Sequence, residues 1–135
     1  MKSEDGKFYY HWVYFIDLDI SLFSEEDKEK FFIRNKKYKL GSPCIYVGET
    51  SKHPKQRRYQ HTGKYKKRGK RSLASYWVKK YGKEGFSSRF IKSGWTRIKM
   101  SATKGVLKRI KDKAKKLEED YAKEIQDKGW GAWWN

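Results

Sequence analysis

Arg57 and His61 stand four residues apart in the stretch PCIYVGETSKHPKQRRYQHTG, residues 43–63. In a helix that spacing puts both on one face. A guanidinium offers a planar fork of donors matched to a phosphate. An imidazole takes up and returns protons near neutral pH. Two tyrosines in apolar runs join them: Tyr14 between Val13 and Phe15, and Tyr46 between Ile45 and Val47. Strand alternation sends the apolar neighbours to one face and the phenols to the other. Taken singly, these residues have plainer accounts: a solvated basic face for Arg57 and His61, and half-buried structural tyrosines for the strands. Together they gain weight because the helix follows directly from the Tyr46-Val47-Gly48 strand, where Gly48 can free the chain to turn back.

The elements that must position these groups are legible in turn. The run FYYHWVYFI, residues 8–16, is aromatic and β-branched and predicts a strand. Ser24, with Asp27 three residues on, predicts a capped helix through about residue 32. CIYVG predicts a second strand paired with the first. Pro54 suits a first helical turn and Gly63 a C′ position, so 54–62 reads as helix. Ser72 is expected to open a further helix through Lys80, with Leu73, Tyr76 and Trp77 on one face and Gly82 as its stop. Residues 86–100 carry strand signals broken at Gly94. Val106, Ile110, Ala114, Leu117, Tyr121 and Ile125 then form one apolar stripe on a long helix ended by Gly129, followed by the tail WGAWWN.

The 135 residues read as one domain, 1–135, with no internal repeat. Apolar residues make up only 36%, but aromatics reach 17%, which excludes a disordered basic tail. The net charge of +18 favours a polyanionic partner, and nucleic acid is the commonest. The run KYKKRGKR, residues 64–71, is expected to be a loop in which Lys64, Lys66, Lys67, Arg68, Lys70 and Arg71 contact phosphates without reading bases. The lone Cys44 allows no intrachain disulfide and reads as a buried thiol. No run approaches the roughly 18 apolar residues of a membrane span, and the first ten residues lack a signal-peptide core, so the cytoplasm is the default. His11 and His53 read as packing or solvated residues. Trp130, Trp133 and Trp134 have two readings, stacking on single-strand bases or packing of the tail.

With these residues in hand, WVYFI and YVGETSKHPKQRRYQH resemble the two halves of the GIY-YIG nuclease motif. Tyr14 matches the first half in a divergent form, with Trp12-Val13-Tyr14 where Gly-Ile-Tyr is usual. Tyr46-Val47-Gly48 matches Tyr-Ile-Gly. Arg57 falls at the family's helix arginine, and His61 where many members have a histidine. The family's later glutamate corresponds to Glu118 in KKLEEDYAKEIQDKGW, with Glu119 beside it as the other candidate. Two departures stand out: the first glycine is missing, and Glu49 follows Gly48 where several members have a non-acidic residue.

The resemblance implies an α+β fold, a small, mainly antiparallel sheet of three strands flanked by helices. It implies a metal-dependent endonuclease cutting DNA, with one Mg²⁺ or Mn²⁺ held by Glu118 and the phosphate held by Arg57. Tyr14 would activate water, His61 is the competing proton acceptor, and Tyr46 would position water or phosphate. For this the five side chains must line one basic concavity. Whether the DNA is single-stranded, duplex or branched stays open. The alternative is a catalytically silent nucleic-acid-binding module, and a third reading is an RNA-associated basic protein.

Overall fold

A computed structural model describes residues 6–61 and 75–135 of the chain. The strands are β1 (Phe8–Asp17), β2 (Cys44–Thr50), β3 (Trp95–Ser101) and β4 (Gly131–Trp133). They form one sheet in the order β3-β1-β2-β4. β1 lies at its centre, antiparallel to both β2 and β3. A strand covered on both faces needs apolar groups at successive positions, and Trp12, Val13, Tyr14, Phe15 and Ile16 are all buried.

The sheet departs from the expected three antiparallel strands. The tail supplies β4, which pairs parallel to β2, so the sheet is four-stranded and mixed. Its short sequence holds because of Asn35. The Asn35 amide donates to the Ala132 carbonyl at 3.0 Å, and its oxygen accepts from the Ala132 N–H at 2.8 Å. The side chain thereby fills the place of a fifth strand. Gly131 is required for the approach, because a β-carbon there would collide with the Phe31 ring, standing 2.6 Å from its Cε1. Trp133 stacks on Trp77 with centroids 4.1 Å apart, which is the packing alternative for that residue. Trp134 lies under the Arg34 guanidinium, 4.2 Å from ring to carbon.

Among the described residues four α-helices cover the sheet: α1 (Glu25–Arg34), α2 (Pro54–His61), α3 (Tyr76–Tyr81) and α4 (Val106–Asp127). Ser24 caps α1 by accepting from the Asp27 N–H at 3.1 Å. In α3, Trp77, Val78 and Tyr81 are buried, while Tyr76 is 53% exposed and donates its hydroxyl to Asp27. The expected Tyr76–Trp77 face is therefore corrected, since adjacent helical residues point about 100° apart. Ser72 and Leu73 lie outside the described residues, as does the basic run 64–71.

α4 packs on the sheet face formed by Val13, Phe15, Ile45 and Val47, with Ala122 and Ile125 against them and Ala114 and Ile110 against Ile98. The opposite face joins Tyr14, Ile16, Cys44 and Tyr46 to Phe23, Phe31, Trp77 and Tyr81. Cys44 is buried there, and burial raises its thiol pKa to about 11. Among the described residues no helix is long and apolar enough to cross a membrane.

Candidate functional site

The antiparallel register sets Tyr14 opposite Gly48 and Ile16 opposite Tyr46. The two phenols are thus diagonal neighbours on one face, with ring centroids 6.2 Å apart. Gly48 is not a turn residue, as the sequence suggested. It sits inside β2, and a β-carbon there would lie 2.5 Å from the Tyr14 hydroxyl oxygen. Its lack of a side chain lets the Tyr14 ring cross the neighbouring strand.

α2 leaves the end of β2 through His53, whose carbonyl accepts from the Gln56 N–H at 3.0 Å and the Arg57 N–H at 3.2 Å. The His53 ring lies between Trp12 and Trp95, at 5.7 and 5.5 Å, which makes it a packing residue. Arg57 is hydrogen-bonded to the Tyr14 phenol. His61 ends α2 one turn later; its side chain is outside those described. Tyr46 is hydrogen-bonded to Ser75 and Tyr14, and its hydroxyl oxygen accepts from the Asn135 amide at 3.2 Å.

Glu118 is 5% exposed. It lies on the α4 row Val106, Ile110, Ala114, Glu118, Ala122, where every other residue is apolar and buried. Glu119 points to the surface side and pairs with Lys123 at 3.1 Å. Burial, then the negative charge of Glu49, raises the Glu118 pKa to about 8, with Lys115 opposing. Its charge reaches both tyrosines and raises their pKa. Burial and Tyr46 hold Tyr14 well above the ordinary phenol value, although Arg57 pulls the other way. Tyr14 is therefore a neutral phenol in the protein alone.

Four residues of this cluster carried no site assignment in the sequence: Glu49, His11, Ser75 and Asn135. Glu49 and His11 share a short hydrogen bond across the strands. Burial of Glu49 is outweighed by His11, Lys115 and Lys111, so its pKa is lowered while that of Glu118 rises. Alternation puts His11 with Val13 and Glu49 with Val47, so each is a polar group on an apolar face, and the register brings the two together. Asn135 and Ser75 gave no such signal.

The residues fit a hard divalent cation. Glu118 is buried, and a second carboxylate lies near enough to oppose its ionisation. A cation would supply the missing countercharge. Among the described residues no three His, Cys, Asp or Glu side chains group around a common point.

The cavities formed by described residues include one beside Arg57. A cleft of about 400 Å³ holds Arg57, Lys52, Lys111, His11 and Glu49, but Tyr14, Tyr46 and Glu118 do not line it. Those three are built into the sheet and its α4 contact, with Tyr14 and Tyr46 only 1% and 2% exposed. Lys64, Lys66, Lys67, Arg68, Lys70 and Arg71 lie outside the described residues. No family model, curated protein or solved structure matches the chain.

Proposed function

We propose that the chain is a divalent-cation-dependent endonuclease that hydrolyses phosphodiester bonds of DNA. The observation that carries this reading is the convergence of Arg57, Tyr14, Tyr46 and Glu118 on one electrostatic cluster, from two strands and two helices. Core packing does not require an arginine and a buried carboxylate beside two buried phenols. The GIY-YIG resemblance and the +18 charge agree with it.

Arg57 binds the scissile phosphate through its fork of donors and orients it toward the tyrosines. Water attacks phosphorus, the bond to the 3′ oxygen breaks, and the products are a 5′-phosphate and a 3′-hydroxyl. His61, or Tyr14 once it is a phenolate, accepts the water proton, and the leaving 3′ oxygen takes up a proton from solvent. Tyr46, fixed by Ser75 and Asn135, orients the attacking water. Glu118, with Glu49 beside it, would hold Mg²⁺ or Mn²⁺. When bound, such an ion offsets charge on the phosphate and lowers the pKa of nearby oxygen acids.

One observation favours a second reading, the catalytically silent binding module. Tyr14 and Tyr46 are almost wholly buried, and the neutral Tyr14 phenol is a weak base. Incubating the chain with single-stranded, duplex and branched DNA in Mg²⁺, Mn²⁺ or EDTA separates the two. Cleavage that EDTA abolishes supports the nuclease, whereas tight binding with no cleavage in either metal supports the module.

A further inference from the structure

Beyond the cluster, the Tyr14 face of the sheet continues to the N-terminal end of β1. Phe8 and Tyr10 are half-buried there, and Arg97 and Lys99 of β3 are exposed beside them. The register pairs Tyr10 with Lys99 and Trp12 with Arg97, so the cations are diagonal neighbours of the rings. Lys99 Nζ lies 4.0 Å from the Phe8 centroid, and the Arg97 guanidinium carbon 4.6 Å from that of Tyr10. Tyr10 and Trp12 are 6.3 Å apart, and His53 and Trp95 carry the ring series on toward Tyr14. The described strand residues sharing this end of the face are Phe8, Tyr10, Trp12, Thr50, Arg97, Lys99 and Ser101, and none is acidic.

We infer that this aromatic and cationic strip binds unpaired bases of the nucleic-acid strand whose phosphate lies at Arg57. The inference rests on the nuclease reading and narrows its substrate to strands with unpaired nucleotides near the cut. Tyr10 and Arg57 line the same cleft, in which the acid present, Glu49, is held by His11, so one continuous strand reaches both. Tyr10 and Tyr14 are four residues apart on β1, about 13 Å. A base stacked on a ring outweighs an exposed cation placed over it. The base therefore displaces the cation, which then meets the flanking phosphate. A duplex keeps its base faces inside its own stack and has none to offer.

The test is fluorescence anisotropy in EDTA with three probes: a thymidine oligomer, an abasic oligomer of equal length, and a duplex. The native chain should bind the thymidine strand at least about tenfold tighter than the abasic one. The double variant Phe8→Leu/Tyr10→Leu should lose that preference and keep its duplex affinity, while Tyr10→Trp should retain it. Equal affinity of the native chain for base-bearing and abasic strands overturns the inference whatever the variants do. An equal loss on duplex and single strand overturns it as well. If the native chain still cuts DNA in Mg²⁺ in those cases, the nuclease reading survives alone. Failure to bind any probe removes both.

Discussion

Tyr14 lies across Gly48 so closely that a β-carbon at position 48 would stand 2.5 Å from the phenol oxygen. Gly48→Ala must therefore move a ring that is 1% exposed and held between Tyr46 and Phe86. The expected cost is about 1–3 kcal/mol of stability. DNA cleavage should fall at least as far as in Tyr14→Phe, which removes the hydroxyl and leaves the ring. Thermal unfolding and cleavage rates of the two variants check this. An alanine variant with native stability and rate would mean that the ring has free space beside it.

Glu118→Gln keeps the shape and removes the charge. Cleavage should be lost and Mn²⁺ binding, read by titration calorimetry, should weaken, with DNA affinity nearly unchanged. Glu119→Gln should behave as native, because that carboxylate sits on Lys123. Reversed outcomes for the two glutamines would put the site on the other side of α4.

The pH dependence of stability follows from Glu118. Its pKa rises from an ordinary 4.5 to about 8 on folding. Between those values the folded chain holds a proton that the unfolded chain has released, so this group's contribution is full below the lower value. It is lost as pH rises toward the upper one, at up to about 1.4 kcal/mol per pH unit. In EDTA the melting temperature of the native chain should fall relative to Glu118→Gln between pH 5 and 8. Parallel melting curves for the two proteins would contradict the raised value.

Asn35→Ala removes the amide that serves Phe31, Ala132 and Gln126. The loss should be about 2–3 kcal/mol, since buried backbone groups of β4 are left unpaired. Hydrogen exchange should locate the weakening at the Ala132 amide. Uniform loss of protection across β1 and β2 would instead mean global unfolding.

Neutralising Lys66, Lys67, Arg68 and Lys70 should weaken DNA binding equally for all sequences. The slope of log affinity against log salt should shrink by about 0.9 for each phosphate that no longer meets a cation. An unchanged slope would move the binding surface elsewhere.

What could be read from the sequence was what local chemistry decides. Ser24 caps because its hydroxyl reaches the Asp27 N–H, and Tyr14 and Tyr46 share a face because strands alternate. The α4 stripe was legible through Val106, Ile110, Ala114 and Ile125, but Glu118 and Ala122 share its buried side. β4 was not legible: three residues carry little propensity, and Asn35, 97 positions away, fixes them. Gly48 looked like a turn because its need for space comes from another strand. The Glu49–His11 pair depends on register, which alternation alone does not specify.

The Asn35 amide has a consequence for how the sheet meets other chains. A free strand edge is a template on which a second copy, or an extended peptide, can lay another strand. On β4 the outward N–H and C=O of Ala132 are already matched by one side-chain amide, donor to acceptor and acceptor to donor. A newcomer would have to evict Asn35 and leave that amide without partners in a buried position. The sheet is in this sense self-terminated at β4, by a residue from the end of a helix rather than by a charge or a proline.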